Sequence, residues 1–456
     1  MNRGTGLRVC IGHGRVRAPG FLAMDDAPGA DIPHRAGDAF PFEDRAVDAI
    51  VAAGIDNATT QAALLGLLLE CRRSLRVGGA LRVVATRQPA GRSASAVAAG
   101  DALDERLEGL ATMAGLHRHA TPLRLTVPEH RRGQMAPSVH DFTKPDRQVR
   151  GDPLVSIVIP AYRARFFRAS LRSALAQTFP RIEILVCDDS QDDEIASIVR
   201  ECDTRRVVRY VRNPARLRSR ANYRRGLELA AGEFIKFLND DDLLAPDCVA
   251  RLLHGFRDAP DVALATSHRR RIGERGGQLA DQPATMQVVA QDTLVGGVSL
   301  ANAMLMAGLN IVGEPSTVLF RKSDLADQAP EYFRFHGADG RGVIDMTMWS
   351  ALLLKGDAVY LDDRLSSFRI HGGQQQHDSA TVQRSAGGIR GLQAAWLALG
   401  LHRRRPPDAL DVRPFPFDPL SDWTTQRVLS FSRIEGLGAP LQEAPAITPS
   451  AGFRAP

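Results

Sequence analysis

Phe237-Leu238-Asn239-Asp240-Asp241-Asp242 sets three consecutive carboxylates at the end of an apolar run, in a chain of 456 residues whose formal net charge is +6. Adjacent anions repel one another, so a cation is expected to join them. The stretch before them, Glu233 to Leu238, has the length and the aromatic and β-branched content of a buried strand. The stretch after them, Pro246 to Arg257, puts Val249, Leu252, Leu253 and Phe256 at helical spacing. Strand, acidic turn, helix is the local reading, and in open α/β sheets ligands sit at the carboxyl ends of strands. A hard divalent cation with oxygen ligands and positions left open for phosphate oxygens fits such a turn. The alternative is that these Asp residues only cap the next helix and shape a turn.

Working outward, strand-like runs alternate with helical patterns. Val155 to Ile159 is followed by Phe167, Leu171, Ala174 and Leu175 on one helix face, and Ile182 to Cys187 by Ile195, Ile198, Val199 and Cys202. Val207 to Val211 then precedes a helix through Leu227. The alternation predicts a mostly parallel sheet with helices on both faces. The strands end in Pro160-Ala161-Tyr162, Asp188-Asp189-Ser190 and Asn239 to Asp242, three polar turns expected on one edge. Asp192, Asp193 and Glu194 suit a helix N-terminus, whereas Asp188 and Asp189 are expected to face the crevice.

The length points to two or three domains. The 44% hydrophobic content is that of a globular protein. No apolar run approaches the roughly 18 residues that span a bilayer, and the N-terminus carries no apolar signal core. A cytoplasmic protein is expected, with peripheral attachment to the inner membrane face through an Arg-rich surface as a further expectation. Lys occurs only at positions 144, 236, 322 and 355, so Arg supplies nearly all the positive charge. Runs such as Arg205-Arg206, Arg269-Arg270-Arg271 and Arg403-Arg404-Arg405 are read as solvated faces or as sites for phosphate-bearing or anionic-membrane partners. Nucleic acid is not an expected partner. The five Cys form no Cys-x-x-Cys pair and read as small buried residues.

Composition divides the chain into residues 1–135, a polar linker at 136–152, a segment at 153–377, and a C-terminal helix with a Pro-rich tail at 378–456. Across the third segment, Leu154 to Tyr162, Ser173 to Thr178, Glu183 to Ser190 and Ala231 to Asp242 resemble family 2 glycosyltransferases with the GT-A fold. Gly313-Glu314-Pro315-Ser316, Ile344-Asp345 opening a helix with Trp349, and Leu365 to Gly373 extend the resemblance. It implies a GT-A nucleotide-diphospho-sugar transferase domain that uses a nucleoside diphosphate sugar and Mg2+ or Mn2+. The acceptor it implies is a glycan, a lipid-linked saccharide or a protein.

By that resemblance, Pro160 and Tyr162 lie near the nucleobase, Asp189 hydrogen-bonds it, Asp240 contacts the ribose and Asp241 holds the metal. Asp242 is left to shape the turn. Arg218 stands where the family places a cation for the nucleotide, with Arg220 the competing choice. Asp345 is the candidate base for inversion, although the family commonly writes Glu-Asp where this chain has Ile344-Asp345. Asn239 likewise stands where many members have Asp. Arg369 and His371 match an Arg-x-His near the diphosphate; His371 is a third metal ligand, a phosphate donor or a structural residue. Glu314 and Gly337 to Gly342 are expected to line an acceptor-side loop.

The first segment alternates too. Leu7 to Gly14, Phe21 to Asp25, Val47 to Val51 and then Cys71 to Val84, read as helix, Gly turn and strand, resemble a class I S-adenosylmethionine-dependent methyltransferase. Leu103 to Gly115 and Leu123 to Val127 are read as its last helix and strand. Gly12 and Gly14 with Asp25 fit the cofactor signature poorly, because His13 and Arg15 crowd the turn and Asp56-Asn57 replaces a common Glu-His. A degenerate Rossmann-like, methyltransferase-type domain is expected, without S-adenosylmethionine. The alternatives to a glycosyltransferase are a bifunctional glycosyltransferase/methyltransferase and a non-catalytic sugar-nucleotide-binding scaffold.

Overall fold

The computed structural model describes residues 7–12, 21–25, 30–34, 39–56, 58–85, 94–119, 137–204, 206–374, 379–404, 408–416 and 421–428. The first module comprises β1 (Arg8–Ile11), β2 (Leu22–Asp25), β3 (Ile32–Pro33), β4 (Val47–Ile55), α1 (Gln61–Ser74), β5 (Leu75–Ala85), α2 (Ala94–Met113), β6 (His117–Arg118) and β7 (Ser138–Thr143). Its seven-stranded sheet has the order β3-β2-β1-β4-β5-β7-β6. The first five strands in that order are parallel, and β7 pairs antiparallel with both β5 and β6. The expected glycine turn before β5 is instead an irregularity within the pairing: Val47 faces Leu75 but Ala49 faces Ala80, and Gly78 takes the left-handed φ of 72° that this needs. The last strand is formed by residues 138–143, inside the stretch read as a linker. His140 and Phe142 point inward there and register with Val83 and Leu81. Leu123 to Val127, Gly14 and Asn57 lie outside the described residues, as does the side chain of Asp25.

The second module begins β8 (Val155–Ala161), α3 (Ala164–Leu175), β9 (Ile182–Asp188), α4 (Glu194–Cys202), β10 (Val208–Arg212), α5 (Arg218–Leu229), β11 (Phe234–Phe237), β12 (Leu243–Leu244) and α6 (Cys248–Asp258). It continues β13 (Val262–Ile272), β14 (Gln278–Leu279), β15 (Thr293–Val295), α7 (Gly297–Ala307), β16 (Leu319–Arg321), β17 (Arg334–Phe335), β18 (Ala338–Asp339), α8 (Ile344–Lys355), β19 (Asp357–Arg369), α9 (Ser379–Ala398), β20 (Ala409–Pro414) and β21 (Thr424–Arg427).

Helical crossovers make β10-β9-β8-β11 parallel, because a strand that re-enters a sheet in the same direction needs a connection long enough to return. α3 packs Phe167, Leu171 and Ala174 into the core, and α4 packs Ile195, Ile198 and Val199. Beyond β11 the expectation of a mostly parallel sheet needs correction. β16 runs antiparallel between β11 and β13, and β15, β20 and β21 extend the far edge antiparallel. The tail therefore adds two strands to the sheet.

One continuous apolar cluster contains Leu64, Leu68 and Leu107 of the first module and Trp349, Leu352 and Trp396 of the second. The stretch read as a linker is pinned: Lys144 Nζ donates to Asp261 at 2.9 Å and Arg147 Nη1 to the carbonyl of Lys355 at 3.0 Å. Arg269 and Arg271 also depart from the expectation of a solvated run. They lie inside, Arg269 with no exposed surface, because alternate residues of β13 face the interior and Arg269 bonds the carbonyls of Ala284 and Asn310 there. Among the described residues no helix is long and apolar enough to cross a membrane.

Candidate active site

The site lies where β8, β9 and β11 end. Asp240 Oδ2 accepts the backbone N–H groups of Tyr162 at 2.7 Å and Arg163 at 2.8 Å, which ties the turn after β8 to the acidic turn after β11. Burial and the neighbouring Asp241 push the Asp240 carboxyl up to about 6. Pro160 is half-buried near the end of β8, before the fully buried Ala161, and Tyr162 follows half-buried, with the Arg216 guanidinium carbon 4.4 Å from its ring centroid and that of Arg163 at 5.9 Å.

Asp189 is almost fully buried, and its carboxylate holds the entry to α5. Oδ1 accepts from Leu217 N at 2.6 Å and Asn213 Nδ2 at 2.9 Å, and Oδ2 accepts from Arg218 N at 2.8 Å. Those bonds hold Arg218 at φ 68°, a backbone conformation that a non-glycine residue rarely takes. The Arg218 side chain is exposed. Arg220 points elsewhere, into an ion pair with Asp339 of β18. Asp188 does not face the crevice: it is buried, accepting from Tyr210 Oη at 2.6 Å and Ser190 N at 2.8 Å.

Asp242 is fully buried and accepts three bonds, from Ser316 Oγ at 2.7 Å, Asn239 Nδ2 at 3.0 Å and Arg369 N at 3.0 Å. It joins the acidic turn to the Glu314-Pro315-Ser316 turn and to the end of β19. Lys236, buried on β11, donates to the Ser316 carbonyl from below. Arg369 contacts backbone: its Nε donates to the Asp241 carbonyl at 2.8 Å and its Nη1 to those of Gly273 and Glu274.

Asp241, like Asp240, is half-buried, whereas Asp242 is buried. Asp241 Oδ2 lies 3.0 Å from His371 Nε2 and accepts a longer bond from Gln374 Nε2 at 3.5 Å. The Gly373 N–H donates to His371 Nδ1 at 3.2 Å, which leaves the ring proton on Nε2, aimed at Asp241. An acceptor-only carboxylate oriented by a donor fits a divalent cation. His371, with its proton on Nε2, fits as the group that orients Asp241; ligation through that nitrogen would require the ring to change tautomer and lose the Gly373 bond. Among the described residues no cluster of three His, Cys, Asp or Glu side chains converges as a ready-made metal cage.

Asp345 stands in the first turn of α8, its Oδ2 accepting from Asn310 Nδ2 at 2.7 Å and its Oδ1 from Met346 N at 2.8 Å. Burial first, and the nearby Glu314 after it, push its carboxyl up to about 6. Glu314 itself is held by the buried Arg269 at 2.5 Å. The buried Tyr223 donates its hydroxyl to Asn239 Oδ1 at the start of the acidic turn. Its phenol is pushed well above its ordinary value, by burial and then by the fields of Asp242, Asp345, Asp241 and Asp240. Tyr223, Asn213 and Asn310 did not emerge from sequence reasoning, and Ser316 and Lys236 entered it only inside longer matching stretches, with no role of their own. Their partners are mostly distant in the chain, and no local spacing marks them.

Residues 156–312 match the family model described as glycosyl transferase family 2. The chain is 31% identical over 228 residues to an uncharacterized protein of Mycobacterium tuberculosis, a match covering 47% of this chain and 66% of that one. Over 120 residues it is 34% identical to the UDP-Glc:alpha-D-GlcNAc-diphosphoundecaprenol beta-1,3-glucosyltransferase WfaP of Escherichia coli, covering 25% of this chain and 45% of that one. Among solved structures it is similar to the mannosyltransferase PcManGT from Pyrobaculum calidifontis in complex with GDP-Man and Mn2+, at 18% identity and a TM-score of 0.40, covering 57% of this chain and 77% of that one. The chain thus spans less than two thirds of the WfaP sequence and at most 66% of the mycobacterial one. The middle of the chain carries a family 2 glycosyl transferase domain.

Proposed function

We propose that the protein is an inverting glycosyltransferase that moves a sugar from a nucleoside diphosphate sugar to a hydroxyl of a glycan, lipid-linked or protein acceptor. The observation that carries this reading is that one turn joins the acidic turn after β11 to Asp345 on a separate helix: Ser316 donates to Asp242, and Asn310, bonded to Gly313, donates to Asp345. The turn after β8 and the Asp189-held entry to α5 form the nucleotide side, where Pro160 and Tyr162 meet the base and Asp189 fixes the loop and reaches it. Asp240 offers the ribose its Oδ1, since Oδ2 holds the Tyr162 turn. The exposed Arg163, Arg216 and Arg218 rim this side with positive charge, suited to a diphosphate donor or a lipid-linked acceptor at an anionic membrane face.

Asp241 would hold Mg2+ or Mn2+, which would supply Lewis-acid stabilisation to the departing diphosphate. Asp345 takes the proton of the acceptor hydroxyl. The acceptor oxygen bonds to the anomeric carbon as the bond from that carbon to the phosphate oxygen breaks, and the nucleoside diphosphate leaves with that electron pair. A carboxyl raised to about 6 is a stronger base than an ordinary aspartate and is still ionised at neutral pH. Since the ionised form is the active one, turnover falls as pH drops through about 6. Asp345→Asn should leave nucleoside diphosphate binding in Mn2+ unchanged and lower donor turnover by about 10²- to 10⁴-fold. Undiminished turnover would exclude Asp345 as the base.

The first module is assigned a packing role. α1 and the end of β7 lie against the transferase domain: Arg72 Nη1 donates to the Lys355 carbonyl at 2.5 Å, and Lys144 to Asp261. Heat on titration with S-adenosylmethionine would instead favour a bifunctional enzyme. Nucleotide binding without turnover on any acceptor would leave a sugar-nucleotide-binding scaffold.

A further inference from the structure

We infer that Asn310 is a positioning residue for the proposed transfer: its side-chain amide fixes the orientation of the Asp345 carboxylate that takes the acceptor's proton. The inference rests on the base assignment made above.

Asn310 follows α7, 35 residues before Asp345. Its amide makes three bonds. Nδ2 donates to Asp345 Oδ2 at 2.7 Å and to the Gly313 carbonyl at 2.9 Å, and Oδ1 accepts from Gly313 N at 3.0 Å. The Gly313 N–H can be met only by the amide oxygen, so the NH2 group must face Asp345; the amide cannot be turned over without losing the ring. That ring is itself anchored. The Gly313 carbonyl also accepts from the buried Trp349 indole at 2.8 Å, and Gly313 has a φ of 118°. A Cβ there would lie 2.8 Å from Thr317, so the turn has no room to adjust around a larger residue. The Asn310 carbonyl accepts from the fully buried Arg269 at 3.0 Å, and the same guanidinium holds Glu314.

The charged and titratable groups about Asp345 are Glu314, whose field disfavours its ionised form, Arg269 behind Glu314, and Tyr223 with the acidic turn. Among them the Asn310 amide is a neutral donor that favours the carboxylate over the acid and sets the direction of Oδ2.

Asn310→Asp preserves size and the acceptor for Gly313 N, but replaces the NH2 facing Asp345 with an anionic oxygen. The acid limb of donor turnover to nucleoside diphosphate should move up by about one pH unit or more, with activity regained as pH rises. Asn310→Ala should lower turnover about 10-fold with little change in the donor KM. Infrared difference spectra supply a readout that needs no turnover: the carboxyl band absent from Asp345→Asn should titrate at higher pH in Asn310→Asp than in wild type. An unchanged infrared midpoint with an unchanged acid limb overturns the inference. So does a loss of turnover that no pH restores and that is accompanied by loss of UDP and GDP binding, since that marks a structural lesion. If Asp345→Asn keeps full turnover with Asn310 intact, the base assignment itself falls, a result distinct from the other two.

Discussion

A single amide sets the charge balance of the acidic turn. Asn239 donates from Nδ2 to Asp242 and accepts the Tyr223 hydroxyl on Oδ1, so it supplies the fully buried Asp242 with a donor that an aspartate could not. Restoring the acid common in the family, Asn239→Asp, should therefore destabilise the protein, by about 1–3 kcal/mol, because it takes a donor from the buried Asp242 and sets a half-buried carboxylate against it. Thermal unfolding checks this, and an unchanged Tm with tighter Mn2+ binding would contradict it. Asp240 and Asp241 stand out in the sequence because they end a strand pattern, whereas Asp345 stands out only through the family resemblance. Asn310, Tyr223 and Lys236 do not, because a polar residue inside the fold declares itself only through its partners, and Asp345, Asn239 and Ser316 lie 35, 16 and 80 residues away from them. The Arg269 run misled for the same reason: charge alone does not reveal that carbonyls wait inside.

At the scale of elements, the alternation of strands and helices from Val155 to Phe237 follows the sequence closely, since β8, β9 and β11 are largely buried apolar runs and α3 and α4 each show one apolar face, while β10 at the sheet edge has no buried residue. The strand leading into Arg321 is part of the family resemblance, but the antiparallel direction of β16 and of the tail strands was not visible, because direction depends on how far the chain travels between strands and leaves no mark on the strand itself. Close packing positions α5 over β8. A Cβ on Gly226 would stand 2.4 Å from Val158 Cγ1, and Val158 is β-branched and has little freedom to turn away. Gly226→Ala should cost about 1–3 kcal/mol and weaken nucleoside diphosphate binding, since displacing α5 moves the backbone held by Asp189. Unaltered stability and affinity would show that α5 does not set the nucleotide side.

For the whole molecule, the joint between modules rests on charge as well as on the shared core. Burial alone would raise Asp261, yet Lys144, Arg45 and Arg72 outweigh it and hold the carboxyl well below the usual range. Burial also lowers Lys144, more than one carboxylate offsets, but Arg45 at 2.8 Å keeps Asp261 ionised in either case. A carboxyl whose pKa is depressed on folding stabilises the fold above about pH 4, and that contribution is lost as pH falls further. Asp261→Ala should remove about 3 kcal/mol at neutral pH and progressively less as pH falls below about 4, in a single unfolding transition for both modules. Two separate transitions in the wild type would show that the modules do not fold as one unit.

The central claim is that the carboxyl ends of β8, β9 and β11 form a nucleoside diphosphate sugar site in which Asp241 holds a divalent cation. Calorimetric titration of the full chain with UDP, GDP and the other common nucleoside diphosphates, with and without Mn2+, tests it most directly. Metal-dependent binding of at least one nucleotide by the wild type, lost in Asp241→Ala, is the predicted result. A wild type that binds none of them, or an Asp241→Ala variant that binds with undiminished metal dependence, would contradict it.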